Sequence, residues 1–193
     1  MRRLFLIGGL LVAFGLAVLA ASAAAPANFA GTWGLDKTKS QGLSQRMQNA
    51  ESVTWTITQD GKTISIDSKV VAGQPPAGSG SGTGGGGGMG GGGGQRGGGP
   101  AGPQSYNLDG NESTSDVTFG QNTGKATTKA TWSSDGAALE LSRKTTFAGP
   151  NGDVANSTTQ KLSLSGDGKV LTVAQHSEGA RGAQDSTLVF NKQ

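Results

Sequence analysis

TWSSDGAALELSRKTT, from Thr131 to Thr146, is an alternating strand, an Asp-Gly pair and a second alternating strand running back. Two other stretches repeat the layout, WTITQDGKTISI from Trp55 to Ile66 and LSLSGDGKVLTV from Leu162 to Val173. Asp109-Gly110 marks a fourth turn of the same chemistry. Asp-Gly tolerates the positive φ of tight hairpin turns, and period-two alternation sends successive side chains to opposite faces of a sheet. The chain therefore reads as an all-β protein built as an antiparallel up-and-down meander.

Ten strands follow in order. The first carries Phe29, Gly31, Trp33 and Leu35 on one parity, and the next two cover residues 52–59 and 62–71. Val53, Trp55 and Ile57 face inward from the second; Ile64, Ile66 and Val70 face inward from the third. Weakly patterned strands at 104–109 and 113–120 precede a sharper set at 125–133, 138–147, 153–165, 169–177 and 184–191. The Asp-Gly turns all fall at one end of this meander, and the longer connections at 38–51, 72–103, 121–124, 148–152 and 178–183 fall at the other. An even strand count returns the last strand antiparallel to the first, so the sheet can close into a single barrel of about eight to ten strands and lose its exposed edges. A two-sheet sandwich with the same meander is the alternative.

Two connections stand out. Residues 38–50 break the alternation, and Leu43 and Met47 at i, i+4 predict a short helix, either a cap over the barrel mouth or a connector resting on the nearest strand. Residues 73–102 form a Gly-rich low-complexity tract that cannot bury apolar surface and is expected to be a long disordered loop. Loop closure costs only about 0.6 kcal/mol per doubling of length, so a barrel tolerates such an insertion. Its single Arg96 offers almost no hold on a phosphate backbone.

Arg2 and Arg3, the apolar run 4–20 and the small residues that follow have the layout of a secretory signal peptide, expected to end at residue 23. One domain, 24–193, would remain, exported to the periplasm or the extracellular space. No Cys is present, so neither disulfides nor a lipid-anchored cysteine are available. Removing Arg2 and Arg3 from the 16 Lys and Arg leaves 14 against 13 Asp and Glu. Near-neutrality argues against a dedicated nucleic-acid or anionic-membrane binder. A membrane-spanning barrel needs an apolar exterior, whereas one face of most strands here is Thr, Ser and Lys.

The Gly31-Thr32-Trp33 opening of the first strand resembles the G-x-W signature of lipocalins and related calycin barrels. It also looks like the F-x-G-T-W-x-L opening of secreted bacterial proteins. The resemblance implies a ligand-binding barrel in which Trp33 packs at the closed end against a basic residue of the last strand. Lys192 holds the matching place, where the family usually has Arg, and no second lipocalin signature is matched.

Inward positions near the Asp-Gly end are large and apolar, while those toward the looped end of the later strands turn small or polar: Ala126, Thr128, Arg143, Thr145, Thr158, Gln160, Gln175 and Ser186. Arg143 is the charged group among them. An arginine inside a barrel needs an anion or several acceptors, and a carboxylate satisfies it with two parallel hydrogen bonds. The candidate ligand contacts are Arg143, Gln160, Thr158, Gln175, Thr128 and Trp55, for a small hydrophobic or acidic molecule. The simpler alternative is that the strands run past the core into water, with Arg143 solvated.

Catalytic chemistry finds no foothold. His176 falls one residue out of phase with Leu171 and Val173 and should face outward, and one histidine cannot build a His-rich metal site. Asp67 and Glu140 also point out, which removes an inward carboxylate pair. The expectation is a non-enzymatic carrier without metal or cofactor. The alternatives are an envelope protein, structural or adhesive, that uses the barrel as scaffold and the glycine tract for contacts, and a protein-binding inhibitor or chaperone-like factor.

Overall fold

The computed structural model describes residues 25–73, 102–119, 122–149, 152–180 and 182–193. The signal peptide expected at 1–23 and nearly all of the glycine tract lie outside the described residues. The elements are β1 (Gly31–Leu35), α1 (Gln45–Gln48), β2 (Ala50–Gln59), β3 (Thr63–Ala72), β4 (Gln104–Asn107), β5 (Ser113–Phe119), β6 (Asn122–Trp132), β7 (Ala138–Gly149), β8 (Gly152–Leu164), β9 (Val170–Gly179) and β10 (Gly182–Lys192). All pair antiparallel in one ladder of order β4-β3-β2-β1-β10-β9-β8-β7-β6-β5. Because β1 pairs with β10, a single sheet wraps into a nearly closed barrel, and the sandwich alternative is set aside.

The ladder's two ends are β4 and β5, although these are consecutive in the chain. The Asp109-Gly110 turn does form, with Gly110 at φ 79° and Asp109 Oδ1 accepting from Asn111 N at 2.9 Å. It is a corner and not a hairpin: β4 spends its four residues pairing with Thr63 to Ile66 of β3, and across the seam it approaches β6.

The hairpin turns at Asp135-Gly136 and Asp167-Gly168 share one construction. Gly136 N donates to Ser133 O and Gly168 N to Ser165 O, at 2.9 and 2.8 Å, with the glycines at φ 69° and 68°. Ser133 N donates to Ala138 O and Ser165 N to Val170 O, at 2.9 and 2.8 Å, so each is a four-residue loop with its left-handed glycine third. Gly61 does not use that conformation; there the Asp60 carboxylate accepts from Lys62 N and Thr63 N at 2.7 and 2.6 Å and holds the turn. The side chain of the aspartate is thus the shared device. The Ser133 and Ser165 hydroxyls donate to Asp135 and Asp167 Oδ1 at 2.6 Å, and these bonds, with the backbone donors at Asp60 and Asp109, hold all four carboxyls below their ordinary 3.8.

The turn end is closed by the segment just ahead of β1. Ala27 N donates to Gly136 O at 2.9 Å, and Gln59 of β2 brackets the same segment, donating to Ala27 O at 3.0 Å and accepting from Phe29 N at 2.9 Å. Phe29 is fully buried and stacks on Trp132 with centroids 6.0 Å apart. Trp33 Nε1 donates to Phe29 O at 2.9 Å. Phe29 therefore lies ahead of β1, in a strap across the base, and not in the first strand as its parity suggests. Gly31, at φ 143°, makes the bend between strap and strand, and a Cβ there would sit 3.1 Å from Lys192 Cε.

Above the base, Ile57, Ile64, Leu139, Leu141, Leu162, Leu171, Val173, Leu188 and Phe190 are buried inside the barrel. Burying each such side chain stabilises by about 1.5–3 kcal/mol. At the other end α1 contains no buried residue, while Leu43 and Met47 are half-buried against the core. The preceding residues extend the wall beside β10, through a Gln41 to Thr187 bridge.

Two outcomes follow from this packing. Phe29→Ala should lower unfolding free energy by about 3–5 kcal/mol in urea titration, the range for emptying a buried phenylalanine site; a loss under about 1 kcal/mol would show that the strap is dispensable. The turn aspartates have folded pKa values below the unfolded 3.8, so their contribution is present above pH 3.8 and lost as pH falls through the folded values. The Asp60→Asn, Asp135→Asn, Asp167→Asn triple variant should accordingly show a flatter acid limb in a stability-against-pH curve.

Candidate functional site

The barrel interior changes character along its axis, and the strand register shows where. Leu139, Leu162, Val173 and Leu188 form one apolar row across β7 to β10. The next row upward is Leu141, Gln160, Gln175 and Ser186, and the one above it is Thr128, Arg143, Thr158 and Ser177. Every polar member of these two rows is half-buried, and no polar or charged residue among the described ones is fully buried. The polar rows therefore line space that water reaches from the looped end.

Their side chains bond chiefly to one another. Gln160 Nε2 donates to Gln175 Oε1 at 2.8 Å, Gln175 Nε2 to Ser177 Oγ at 3.3 Å, and Ser177 Oγ lies 3.5 Å from Thr158 Oγ1. Thr128 Oγ1 donates to Ser113 O at 3.4 Å. Arg143 Nε makes a long bond to Thr145 Oγ1 at 3.4 Å, and among the described residues no carboxylate pairs with its guanidinium. Arg143, Gln160, Thr158, Gln175 and Thr128 are thus brought together on one wall. The strands do run on into solvent, but higher up: Asn156 and Val154, the next inward positions of β8, are exposed.

Trp55 belongs to the opposite, apolar wall. It is buried on β2, opposite Trp33 in register, with its ring 4.6 Å from that of Phe190. Trp33 in turn lies opposite Lys192, whose Nζ sits 5.3 Å from the indole centroid, a cation–π distance. Gly31, Trp33 and Lys192 are therefore a structural group at the closed end, away from the polar rows.

Tyr106 of β4 is a site residue that sequence reading did not single out. It is buried, its hydroxyl donates to Gln104 Oε1 at 3.3 Å, and burial pushes its pKa up while the nearby Arg143 charge pulls against that rise. Arg143 shares the inward face of β7 with buried Leu139 and Leu141, in register with Thr128 and Thr158. Tyr106 is the only tyrosine of the chain and stands on the inward parity with Gln104 and Leu108, a signal too short for periodicity to report.

The outer face carries its own small cluster. Exposed His176 Nδ1 lies 2.6 Å from Asp185 Oδ1, with Glu178 Oε1 3.8 Å from Nε2. The hydrogen bond to Asp185 raises the imidazole pKa above 6.5, with Glu178 adding to it. Among the described residues no three His, Asp or Glu groups are arranged to hold a metal ion. The two best-formed depressions among them, of about 420 and 310 Å³, contain neither Arg143 nor Trp55; the larger lies over Thr159, Lys161, His176 and Asp185.

No protein-family model matches the chain, and no curated protein matches it. Among solved structures, that of zebrafish ileal bile acid-binding protein complexed with cholic acid aligns over 86% of this chain and 98% of its own, at 14% identity and a TM-score of 0.43. A likeness that slight bears on neither mechanism nor ligand.

The outer cluster gives a measurable titration. The His176 imidazole should titrate above 6.5 by NMR, and Asp185→Asn should move it back toward 6.5. Its folded pKa being raised, the stability it contributes is complete below pH 6.5 and lost as pH rises through the folded value.

Proposed function

We propose that the protein is an exported, non-enzymatic, lipocalin-like carrier that binds a small amphipathic acid in the upper half of its barrel. The observation that carries this reading is Arg143: a half-buried arginine on the inner wall, level with Thr128 and Thr158, with no carboxylate partner among the described residues. A carboxylate ligand would supply the two parallel acceptors that a guanidinium fork takes best. Thr158, Gln160, Gln175 and Thr128 would surround the head group, and the Trp55 wall would receive the apolar body. The Gly31-Thr32-Trp33 resemblance to lipocalins supports the same reading.

Export rests on the leader-like residues 1–23, which support a carrier working in the periplasm or outside the cell. The near-neutral charge supports a small-molecule partner over nucleic acid. No helix among the described residues is long and apolar enough to cross a membrane. Lys69, Lys144 and Lys161 are exposed outward-pointing charges along the strands, and charge on a lipid-facing strand is costly.

A second reading is favoured by a different observation. The lower barrel is filled, and Gly73 N is tied to Asn49 O at 3.1 Å, so the glycine tract departs from an anchored point at the looped end. The barrel would then be a scaffold in an envelope protein and the tract its contact surface.

Native mass spectrometry of the chain from Ala24, purified without detergent, separates the two. The carrier reading predicts a discrete extra mass released on denaturation, retained when residues 74–101 are deleted and lost in Arg143→Leu with its circular dichroism unchanged. A bare protein mass, with no uptake from an envelope lipid extract, would overturn it.

A further inference from the structure

Trp55 Nε1 is the one buried side-chain nitrogen or oxygen among the described residues that has no hydrogen-bond partner. The contrast with its register neighbour is direct: Trp33 Nε1 donates to Phe29 O at 2.9 Å, while Trp55, 4% exposed, donates to nothing. An indole N–H taken out of water without a replacement acceptor is a cost that folded proteins rarely retain, and each case calls for an explanation. The rest of its wall supplies none, because Val53, Ile57 and Ile66 are apolar and Phe190 offers only a ring face.

The same position is close to an opening. Trp55 is paired with Ser68 of β3, and directly opposed residues of an antiparallel pair share a face, so Ser68 also points inward. Ser68 is nevertheless exposed. β4 is short: its first residue, Gln104, pairs with Ile66, so beyond that point no strand among the described residues lies on the outer edge of β3. Among the described residues, the ladder is therefore open beside the cross-strand partner of the unsatisfied indole.

We infer that the Trp55 N–H is a second anchoring point of the site, donating to an oxygen carried on the otherwise apolar body of the acid that Arg143 holds. The inference rests on the carrier reading and narrows its ligand class. An unsubstituted alkyl acid leaves the indole unpaired, whereas a hydroxyl, ketone or ester oxygen along the chain completes it. Sites that offer a buried polar group discriminate against analogues lacking its partner, because the protein group is then left unpaired. The ligand class is therefore oxygenated amphipathic acids.

The probes are hexadecanoic acid and a set of monohydroxyhexadecanoic acids differing in hydroxyl position, titrated calorimetrically into delipidated protein. The expected result is that at least one hydroxy acid binds about tenfold more tightly than the plain acid, a difference of about 1.4 kcal/mol. Trp55→Phe keeps an aromatic ring against Phe190 and removes the N–H, and should bind all the acids alike. In the wild-type protein the indole proton resonance of Trp55 should move downfield on adding the preferred hydroxy acid and not on adding hexadecanoic acid, a readout independent of how well the variant folds. Equal binding of every acid by the wild-type protein, a preference that survives in Trp55→Phe, or an unmoved indole resonance overturns the inference and leaves the carrier reading standing. Binding of none of them overturns both.

Discussion

The strap across the base of the barrel is the constraint on which the rest depends. A ten-stranded barrel has an interior that side chains must fill or water will enter, and here one end is sealed by Phe29 between the strap and Trp132. The strap is held at three backbone points by Gln59 and Gly136, and the hydrogen bond from Trp33 to Phe29 O ties it to β1. Gly31 makes this possible, since its positive φ turns the chain from base into wall, at a place where a Cβ would also crowd the Lys192 side chain. With that end closed and dry, polar inward residues are tolerable only toward the other.

The seam between β4 and β5 has the complementary role. A closed barrel has no edges, whereas this one keeps two, and free edges invite pairing with other chains. The edges are blunted by brevity on one side, with four residues in β4, and by charge on the other, where exposed Asp116 of β5 meets Lys125 of β6 at 3.0 Å. What the seam provides is an inner surface reachable from the side. Buried Tyr106 of β4 faces β6 across the seam, and Ser68, the cross-strand partner of Trp55, is exposed on β3 beyond the start of β4.

Much of this was legible in the residues. Alternation around the Asp-Gly turns gave the strand set and its facing, and the even count led to β1 beside β10, with Trp33 opposite Lys192 in the register. The inward rows of Arg143, Thr158, Gln160 and Gln175 follow from parity alone, because period two persists along strands of ten or more residues. The limits were equally physical. Parity is local, so it could not tell that Phe29, in phase with Trp33, belongs to a strap bent away at Gly31. The strand at 104–109 is readable, but four paired residues carry too few alternations to mark Tyr106 as inward or to show that β4 and β5 part at a seam. Whether two consecutive strands pair depends on how far the sheet has already curled, which no stretch of sequence records.

The account's central claim is that an inward Arg143 makes this barrel selective for a carboxylate. Its most direct measurement is calorimetric titration of the delipidated protein with a long-chain acid and with the primary alcohol of the same chain length, at pH 7. The account predicts measurable binding of the acid, at least tenfold weaker binding of the alcohol, and loss of that difference in Arg143→Leu. Equal affinity for acid and alcohol in the wild-type protein would contradict it.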